Sequence, residues 1–136
     1  MMSAMTELPD NSALLLRTVA MPADTNPNGD IFGGWILSQM DLAGGILAKD
    51  IAHGRVATIA VDAMKFIKPV KVGDVVCCYG NVKRMGTTSI TLHLEAWVIP
   101  LWRPVESRQP FRVTEADFTY VAIDLEGKKR PLQLSH

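Results

Sequence analysis

A long segment almost free of charge, preceded by a turn-rich loop, constrains the fold of this chain more than any other feature. The loop covers residues 26–34 and is rich in Asn, Asp, Pro and Gly, which tolerate tight turns. From Trp35 to about His53 the sequence predicts a helix whose apolar residues cover almost every side. We therefore expect a helix that is buried on most of its faces rather than an amphipathic one.

One acidic residue interrupts this apolar helix. Between Gly33 and Ala48, Asp41 is the only ionisable residue. A buried carboxylate without a partner is costly, so either a cation pairs with Asp41 across a subunit contact or a reaction uses it. The adjacent Gly44 and Gly45 predict close packing of the helix against a sheet or another helix, because glycine otherwise destabilises a helix interior.

The remainder of the chain predicts strands. The segment 89–97 alternates apolar and polar residues, the pattern of a half-buried antiparallel strand, with Ile90 and Leu92 facing inward. The segments that favour strands are 13–21, 56–66, 75–85, 89–97 and 112–124. Gly54 is expected to cap the helix C-terminus.

One helix followed by a run of strands indicates an α+β domain in which an antiparallel sheet of about five strands wraps around the helix. We expect a single domain over residues 1–136, with poorly ordered tails at 1–12 and 126–136. Such a sheet leaves its edges and part of the helix uncovered, so we expect a homo-oligomer, at least a dimer.

Composition argues against several classes of function. Basic and acidic residues number 14 each, and this balance argues against bulk nucleic-acid binding. No apolar run is long enough to span a bilayer and residues 1–11 lack a signal pattern, so we expect neither a membrane partner nor a secretory signal. Cys77 and Cys78 are adjacent in a predicted strand and should point to opposite faces, which disfavours a mutual disulfide and favours a reducing, cytoplasmic setting. We expect no metal site, since no cluster of Cys and His is visible.

The segments around Asp41 resemble those of the bacterial YciA-type acyl-CoA thioesterases. The similarity extends over about residues 14–124, and its most specific part is the segment 26–34 with Asp41 at a fixed spacing. The other matching segments are 39–41, 66–70 and 72–74. The resemblance implies a hotdog fold, with protomers that pair into dimers and dimers that form a homohexamer as a trimer of dimers. It also implies hydrolysis of acyl-CoA to a carboxylic acid and CoA, with no cofactor other than the CoA of substrate and product.

The resemblance further implies the catalytic residues. The carboxylate falls on Asp41, the asparagine on Asn26, and the glycine pair at the helix start on Gly33 and Gly34. Asp41 would activate a water or attack the carbonyl itself, and both routes stay open. Unpaired N–H groups at the helix start would stabilise the oxyanion. Asn26 would hold the water or polarise the thioester, or would only stabilise the turn.

The spacing on the helix suggests how these groups meet. Gly34 and Asp41 lie seven residues apart, about 10 Å along a helix, which is too far for both to act on one carbonyl. We hypothesise that Asp41 of one protomer acts with Asn26 and the glycine pair of its neighbour.

The phosphates of CoA require basic and hydroxyl side chains. The resemblance indicates a turn at residues 83–89 that approaches the nucleotide. Many relatives carry a basic residue where this chain has Thr87, and we expect Arg84 to make that contact instead. The candidates are Arg84, Gly86, Thr87, Thr88 and Ser89 in the turn, and Arg55, Lys65, Lys68 and Arg130 at strand ends and in the tail.

Two other functions compete with hydrolysis. A hotdog dehydratase acting on acyl thioesters would need a catalytic histidine near the helix start, and none of the three histidines stands there in the sequence. A regulator that binds acyl-CoA without turnover would release no thiol, and its binding would survive Asp41→Asn.

Overall fold

A computed structural model describes residues 7–132 of the protein and contains one long helix and one antiparallel sheet. The elements are β1 (Leu14–Val19), α1 (Gly33–Ala52), β2 (Val56–Val61), β3 (Val75–Met85), β4 (Ser89–Ile99) and β5 (Phe111–Ala122). The strand order is β1-β3-β4-β5-β2, and α1 contacts every strand. The predicted α+β fold, a long central helix wrapped by five antiparallel strands, is confirmed.

The helix packs on the sheet through one face. The buried residues of this face are Ile36, Met40, Ala43, Gly44, Ala48 and Ala52. A Cβ at Gly44 would lie 2.3 Å from the hydroxyl of Tyr120, so the close helix–sheet packing predicted for Gly44 is confirmed. No helix among the described residues is both long and apolar enough to cross a membrane.

The opposite face of the helix is uncovered in the single chain. Leu42 and Ile46 are 58% and 51% exposed, and a Cβ at Gly45 would meet no atom within 4 Å. The expectation of a helix buried on most sides therefore fails for one chain, because the five-stranded sheet covers only one side of α1. Strand β2, at the edge of the sheet, also exposes Ile59 and Val61.

The two cysteines lie on opposite faces of the sheet as predicted. Cys77 belongs to an apolar cluster on the outer face with Tyr79 and Trp97, and Cys78 lies in the core beneath α1. Both thiols are free and buried. Burial raises the pKa of the Cys78 thiol to about 12.

Two of the predicted boundaries differ from the structure for reasons that its contacts show. Strand β2 ends at Val61 rather than 66, because the chain beyond it is attached to β5 by single bonds rather than a ladder, such as Ile67 N–H to the Val113 carbonyl at 2.8 Å. The helix ends with His53 as its left-handed C-cap, at φ 54°, in place of Gly54. Gly54 serves another purpose, since a Cβ there would lie 2.7 Å from a guanidinium nitrogen of Arg130.

Residues 126–132, the described part of the C-terminal segment expected to be poorly ordered, form backbone hydrogen bonds with the domain. The Arg130 N–H donates to the Ala122 carbonyl at 2.9 Å, and the Leu132 N–H donates to the Thr87 carbonyl at 2.8 Å. At the other end, residues 11–13 form a short 3-10 turn. The expectations for residues 1–6 and 133–136 lie outside the described residues.

Candidate active site

Two hydroxyl groups from the sheet hold the side chain of Asp41. Thr58 Oγ1 donates to Asp41 Oδ1 at 2.6 Å, and the Tyr120 hydroxyl lies 3.0 Å from both the same oxygen and the Asp41 carbonyl. Thr58 on β2 and Tyr120 on β5 are direct cross-strand partners, which brings both hydroxyls under the helix. Asp41 Oδ2 forms no hydrogen bond within residues 7–132. The carboxylate is thus oriented with one oxygen available.

Asp41 is half-buried rather than fully buried, and it lines an open cleft of about 270 Å³. The other lining residues include Gly34, Leu37, Thr58, Val61 and Phe118. Burial and the neighbouring Asp41 carboxylate raise the pKa of Tyr120 far above its usual range. The Tyr120 hydroxyl therefore remains a proton donor at neutral pH.

Sequence reasoning missed Thr58 and Tyr120. A helical carboxylate meets strand residues 17 and 79 positions away only through the order of the sheet, which no local pattern encodes. The one indirect signal was Gly44, because a glycine inside a helix indicates that a neighbouring side chain packs where a Cβ would otherwise lie.

Asn26 is fixed within its loop by its own side chain. Asn26 Oδ1 accepts the N–H groups of Asn28 at 2.9 Å and Asp30 at 3.1 Å. Asn26 therefore stabilises the turn through its side chain, one of the two roles considered for it. The two N–H donors identify the side-chain oxygen, which leaves Nδ2 as a donor with no hydrogen bond in the described part of the chain. In this orientation Asn26 can donate to a carbonyl oxygen.

The start of α1 presents unpaired N–H groups. The N-cap, Phe32, has no side-chain acceptor, and the first N–H groups bonded to its carbonyl are those of Trp35 and Ile36. The N–H groups of Gly33 and Gly34 have no acceptor within residues 7–132. A Cβ at Gly33 would press on the Phe66 ring at 3.1 Å, whereas one at Gly34 would meet nothing within 4 Å.

Within one chain, the predicted catalytic groups line two different clefts. Asn26 and Gly33 line a cleft of about 310 Å³ that also includes Phe66. Asp41 and Gly34 line the cleft described above. Asn26 and Asp41 therefore do not share a cleft in the single chain, whereas Gly34 and Asp41, the pair whose spacing suggested a shared site, line the same one.

The predicted CoA residues lie at two ends of the protomer. Lys68 lines the Asn26 cleft, and nearby Lys65 has an exposed side chain while its carbonyl accepts the Thr114 hydroxyl at 2.6 Å. The other candidates lie toward the C-terminal end of α1. Those candidates are Arg55, Arg84, Gly86, Thr87, Thr88, Ser89 and Arg130.

Two of these candidates have structural contacts. Arg130 Nη2 donates to the Ala52 carbonyl at 2.9 Å and its Nε donates to the Ile123 carbonyl at 3.1 Å, so its guanidinium stabilises the helix C-terminus. Arg55 Nη1 donates to the Leu125 carbonyl at 3.2 Å. One protomer does not bring these groups to Asn26 or Asp41.

The described histidines lie away from the helix start. His53 caps the end of α1. His93 lies on the outer face of the sheet, 2.9 Å from both Glu115 and Asp117. Arg112 pairs with Glu115 at 3.0 Å and neutralises part of this cluster. This arrangement disfavours the dehydratase alternative, while His136 lies outside the described residues.

Comparisons with known proteins identify the family of this chain. The family model described as "Thioesterase superfamily" matches residues 28–100. The acyl-CoA thioester hydrolase YciA of Salmonella typhimurium is 59% identical over 120 residues, which are 88% of this chain and 89% of that protein. This chain belongs to the YciA-type acyl-CoA thioester hydrolases. The family resemblance drawn from the motifs around Asp41 is confirmed.

Solved structures extend the match to the fold of the YciA-type hydrolases. A hexameric thioesterase from Yersinia pestis superposes with a TM-score of 0.83 at 58% identity, over 94% of this chain and all of that one. A hexameric broad-specificity acyl-coenzyme A thioesterase, crystallised with one aspartate replaced by alanine, gives 0.84 at 56% identity over 88% and 86% of the chains. The predicted hotdog fold and hydrolase class are confirmed.

Proposed function

We propose that this protein hydrolyses acyl-CoA thioesters to a carboxylic acid and CoA, as a homo-oligomer that contains at least dimers. The observation that carries the proposal is the Asp41 carboxylate, which Thr58 and Tyr120 hold by one oxygen in a cleft lined by the helix start. The names of the YciA-type relatives support the substrate class, and the hexamers they form support the assembly.

Asp41 supplies the attack on the thioester. As a base, its free oxygen Oδ2 takes a proton from water, and the resulting hydroxide adds to the carbonyl carbon. The tetrahedral intermediate then breaks its C–S bond and releases the CoA thiolate, which takes the proton back from Asp41. As a nucleophile, Oδ2 itself adds to that carbon, expels the CoA thiolate and forms an anhydride that water then hydrolyses. Both routes need the ionised carboxylate, and the two hydroxyl donors orient it through Oδ1.

The oxyanion is stabilised by donors at the start of α1. The N–H groups of Gly33 and Gly34 lie at the positive end of the helix dipole, and Asn26 Nδ2 adds a third donor. One such donor lowers the barrier by about 3–4 kcal/mol in comparable sites. The absence of a Cβ at Gly34 lets a substrate carbonyl approach the backbone closely.

Two chains together complete each site. Asp41 of one protomer acts with Asn26 and the glycine pair of its partner, because Asn26 and Gly33 line a different cleft from Asp41 in one chain. Gly34 borders the Asp41 cleft but lies seven residues, about 10 Å, from Asp41 along the helix. The uncovered helix face, with Leu42 and Ile46 exposed, provides an apolar surface for antiparallel pairing of two α1 helices.

Release of free CoA from a panel of acyl-CoA thioesters tests the proposal. The wild type should release CoA, and Asp41→Asn should lower kcat by at least about 10²-fold, as expected for loss of a general base. Asp50→Asn, an exposed carboxylate near the end of the same helix, is the matched control and should retain activity. Tight binding of acyl-CoA without thiol release would instead identify a regulator, and hydration of an enoyl thioester without thiol release would identify a dehydratase.

A further inference from the structure

A serine on helix α1 borders the same cleft as Asp41. Ser38 lies three residues before Asp41, a spacing that places two side chains side by side on one face of a helix. Of the described residues that line this cleft, Ser38, Asp41 and Thr58 are those with polar side chains. The others are Gly34, Leu37, Val61 and Phe118.

Both hydroxyl groups of the cleft have already given their protons to acceptors. Ser38 Oγ donates to the Trp35 carbonyl at 2.7 Å, and Thr58 Oγ1 donates to Asp41 Oδ1 at 2.6 Å. A hydroxyl that donates its one proton keeps its lone pairs as acceptors. The Ser38 oxygen is exposed and accepts no hydrogen bond within residues 7–132. It is therefore free to accept one from a molecule in the cleft.

A water molecule that attacks a thioester has two hydrogens, and Asp41 takes only one of them. Its lone pair is aimed at the carbonyl carbon only when both of its O–H bonds are held in place. The apolar side chains of the cleft offer no acceptor for the second hydrogen. Ser38 Oγ is such an acceptor, and side chains at this helical spacing start about 5–6 Å apart, a gap that one water molecule can bridge.

We infer that Ser38 positions the attacking water, an inference that rests on the proposed hydrolysis and takes its general-base route. The water donates one hydrogen to Asp41 Oδ2 and the other to Ser38 Oγ. As the water oxygen bonds to the carbonyl carbon, the first hydrogen passes to Oδ2 as a proton. The C–S bond then breaks, and the departing thiolate takes that proton from Asp41. Ser38 keeps its own proton throughout and acts only by orienting the water.

Competition between water and methanol tests this role. Methanol has a single O–H, which Asp41 accepts, so its attack on the thioester needs no second acceptor. With methanol in the assay, the wild type should divide the acyl group between the carboxylic acid and the methyl ester. Ser38→Ala should lower the rate of acid formation about tenfold, the effect of one lost hydrogen bond, with KM for acyl-CoA unchanged. Ester formation should stay the same, so the ratio of ester to acid should rise about tenfold.

Two variants serve as controls for this ratio. Ser38→Thr keeps a hydroxyl that can still donate to a carbonyl of the preceding turn, and it should retain the wild-type ratio. Ser107→Ala removes an exposed hydroxyl from the turn between β4 and β5 and should also leave the ratio unchanged. Alanine is the residue most favourable to a helix, so Ser38→Ala should unfold in urea no more readily than the wild type.

The product ratio also separates this inference from the proposed function. A wild type that releases thiol, with the same ester-to-acid ratio in Ser38→Ala, would overturn the inference and leave the hydrolase function intact. An equal loss of ester and acid in Ser38→Ala would overturn it as well, because Ser38 would then act on Asp41 or on the fold rather than on the water. A wild type that releases no thiol from any acyl-CoA would refute the proposed function and this inference together.

Discussion

Removing the hydroxyl of Tyr120 tests whether the sheet orients Asp41, the carboxylate proposed to act on the thioester. This hydroxyl lies 3.0 Å from Asp41 Oδ1, in space that the missing side chain of Gly44 leaves open. Tyr120→Phe retains the ring, which stacks on Phe118 with centroids 6.4 Å apart. The substitution therefore removes a hydrogen-bond donor and leaves the packing of the core in place.

The expected loss follows from the contacts that remain. A hydrogen bond to a charged group contributes roughly 1.5–3 kcal/mol. Thr58 still donates to the same oxygen at 2.6 Å, so the lower value applies, and about 1.5 kcal/mol corresponds to roughly a tenfold decrease in kcat.

The assay is thiol release from a saturating acyl-CoA at neutral pH. Tyr79→Phe is the matched control, since Tyr79 is buried on the outer face of the same sheet and should leave kcat unchanged. An unchanged kcat in Tyr120→Phe would refute the reasoning, because Thr58 alone would then hold the carboxylate.

A substitution at Gly44 tests the same contact from the helix side. A Cβ there would lie 2.3 Å from the Tyr120 hydroxyl and 2.8 Å from Leu94, so Gly44→Ala should displace that hydroxyl and lower the free energy of unfolding by about 1–3 kcal/mol. In the Tyr120→Phe background, Gly44→Ala should reduce kcat less than it does alone. Fully additive losses would show that Gly44 does not act through Tyr120.

Three further predictions concern assembly and stability. Leu42→Glu should lower the molecular mass in solution by light scattering, because the side chain is 58% exposed on the uncovered helix face, whereas Lys49→Gln should not. Burial raises the pKa of Cys78 from 9.0 to about 12, so above pH 9 the thiol ionises in the unfolded chain but stays protonated in the folded one. The free energy of unfolding, measured in urea, should therefore fall by about 2 kcal/mol between pH 8 and about 10.5. The same fall in a Cys78→Ala variant would contradict this origin. Arg130→Gln should lower the free energy of unfolding by about 1 kcal/mol through loss of its contact with the helix end; unchanged stability with a raised KM for acyl-CoA would favour its role in binding.

The architecture was predictable because two strong periodic patterns determine it. The almost uncharged segment around Asp41 allows only a helix covered by other elements, and the alternation over 89–97 allows only a strand with one buried face. The same hydrophobicity overstated the burial of the helix in one chain, since Leu42 and Ile46 remain exposed. Local patterns cannot distinguish an apolar face covered by the chain itself from one left uncovered.

The remaining errors share one cause, which is contact between residues distant in sequence. Gly54 matched the pattern of a helix cap, but it provides room for Arg130, which no local pattern places beside it. Asp41 was found from its isolation, while its partners Thr58 and Tyr120 depend on the pairing of β2 with β5. Sequence motifs thus identified the candidate carboxylate but not the residues that orient it.

The most direct test of the shared site uses mixed oligomers of two inactive variants. Asp41→Ala and Asn26→Ala chains, refolded together in equal amounts, form dimers of which about half are mixed, and each mixed dimer contains one site free of both substitutions. The proposed pairing predicts recovery of about a quarter of wild-type thiol release from acyl-CoA, above either variant alone. Thiol release that stays at the level of the single variants, with mixed dimers demonstrably present, would contradict a site built from two chains.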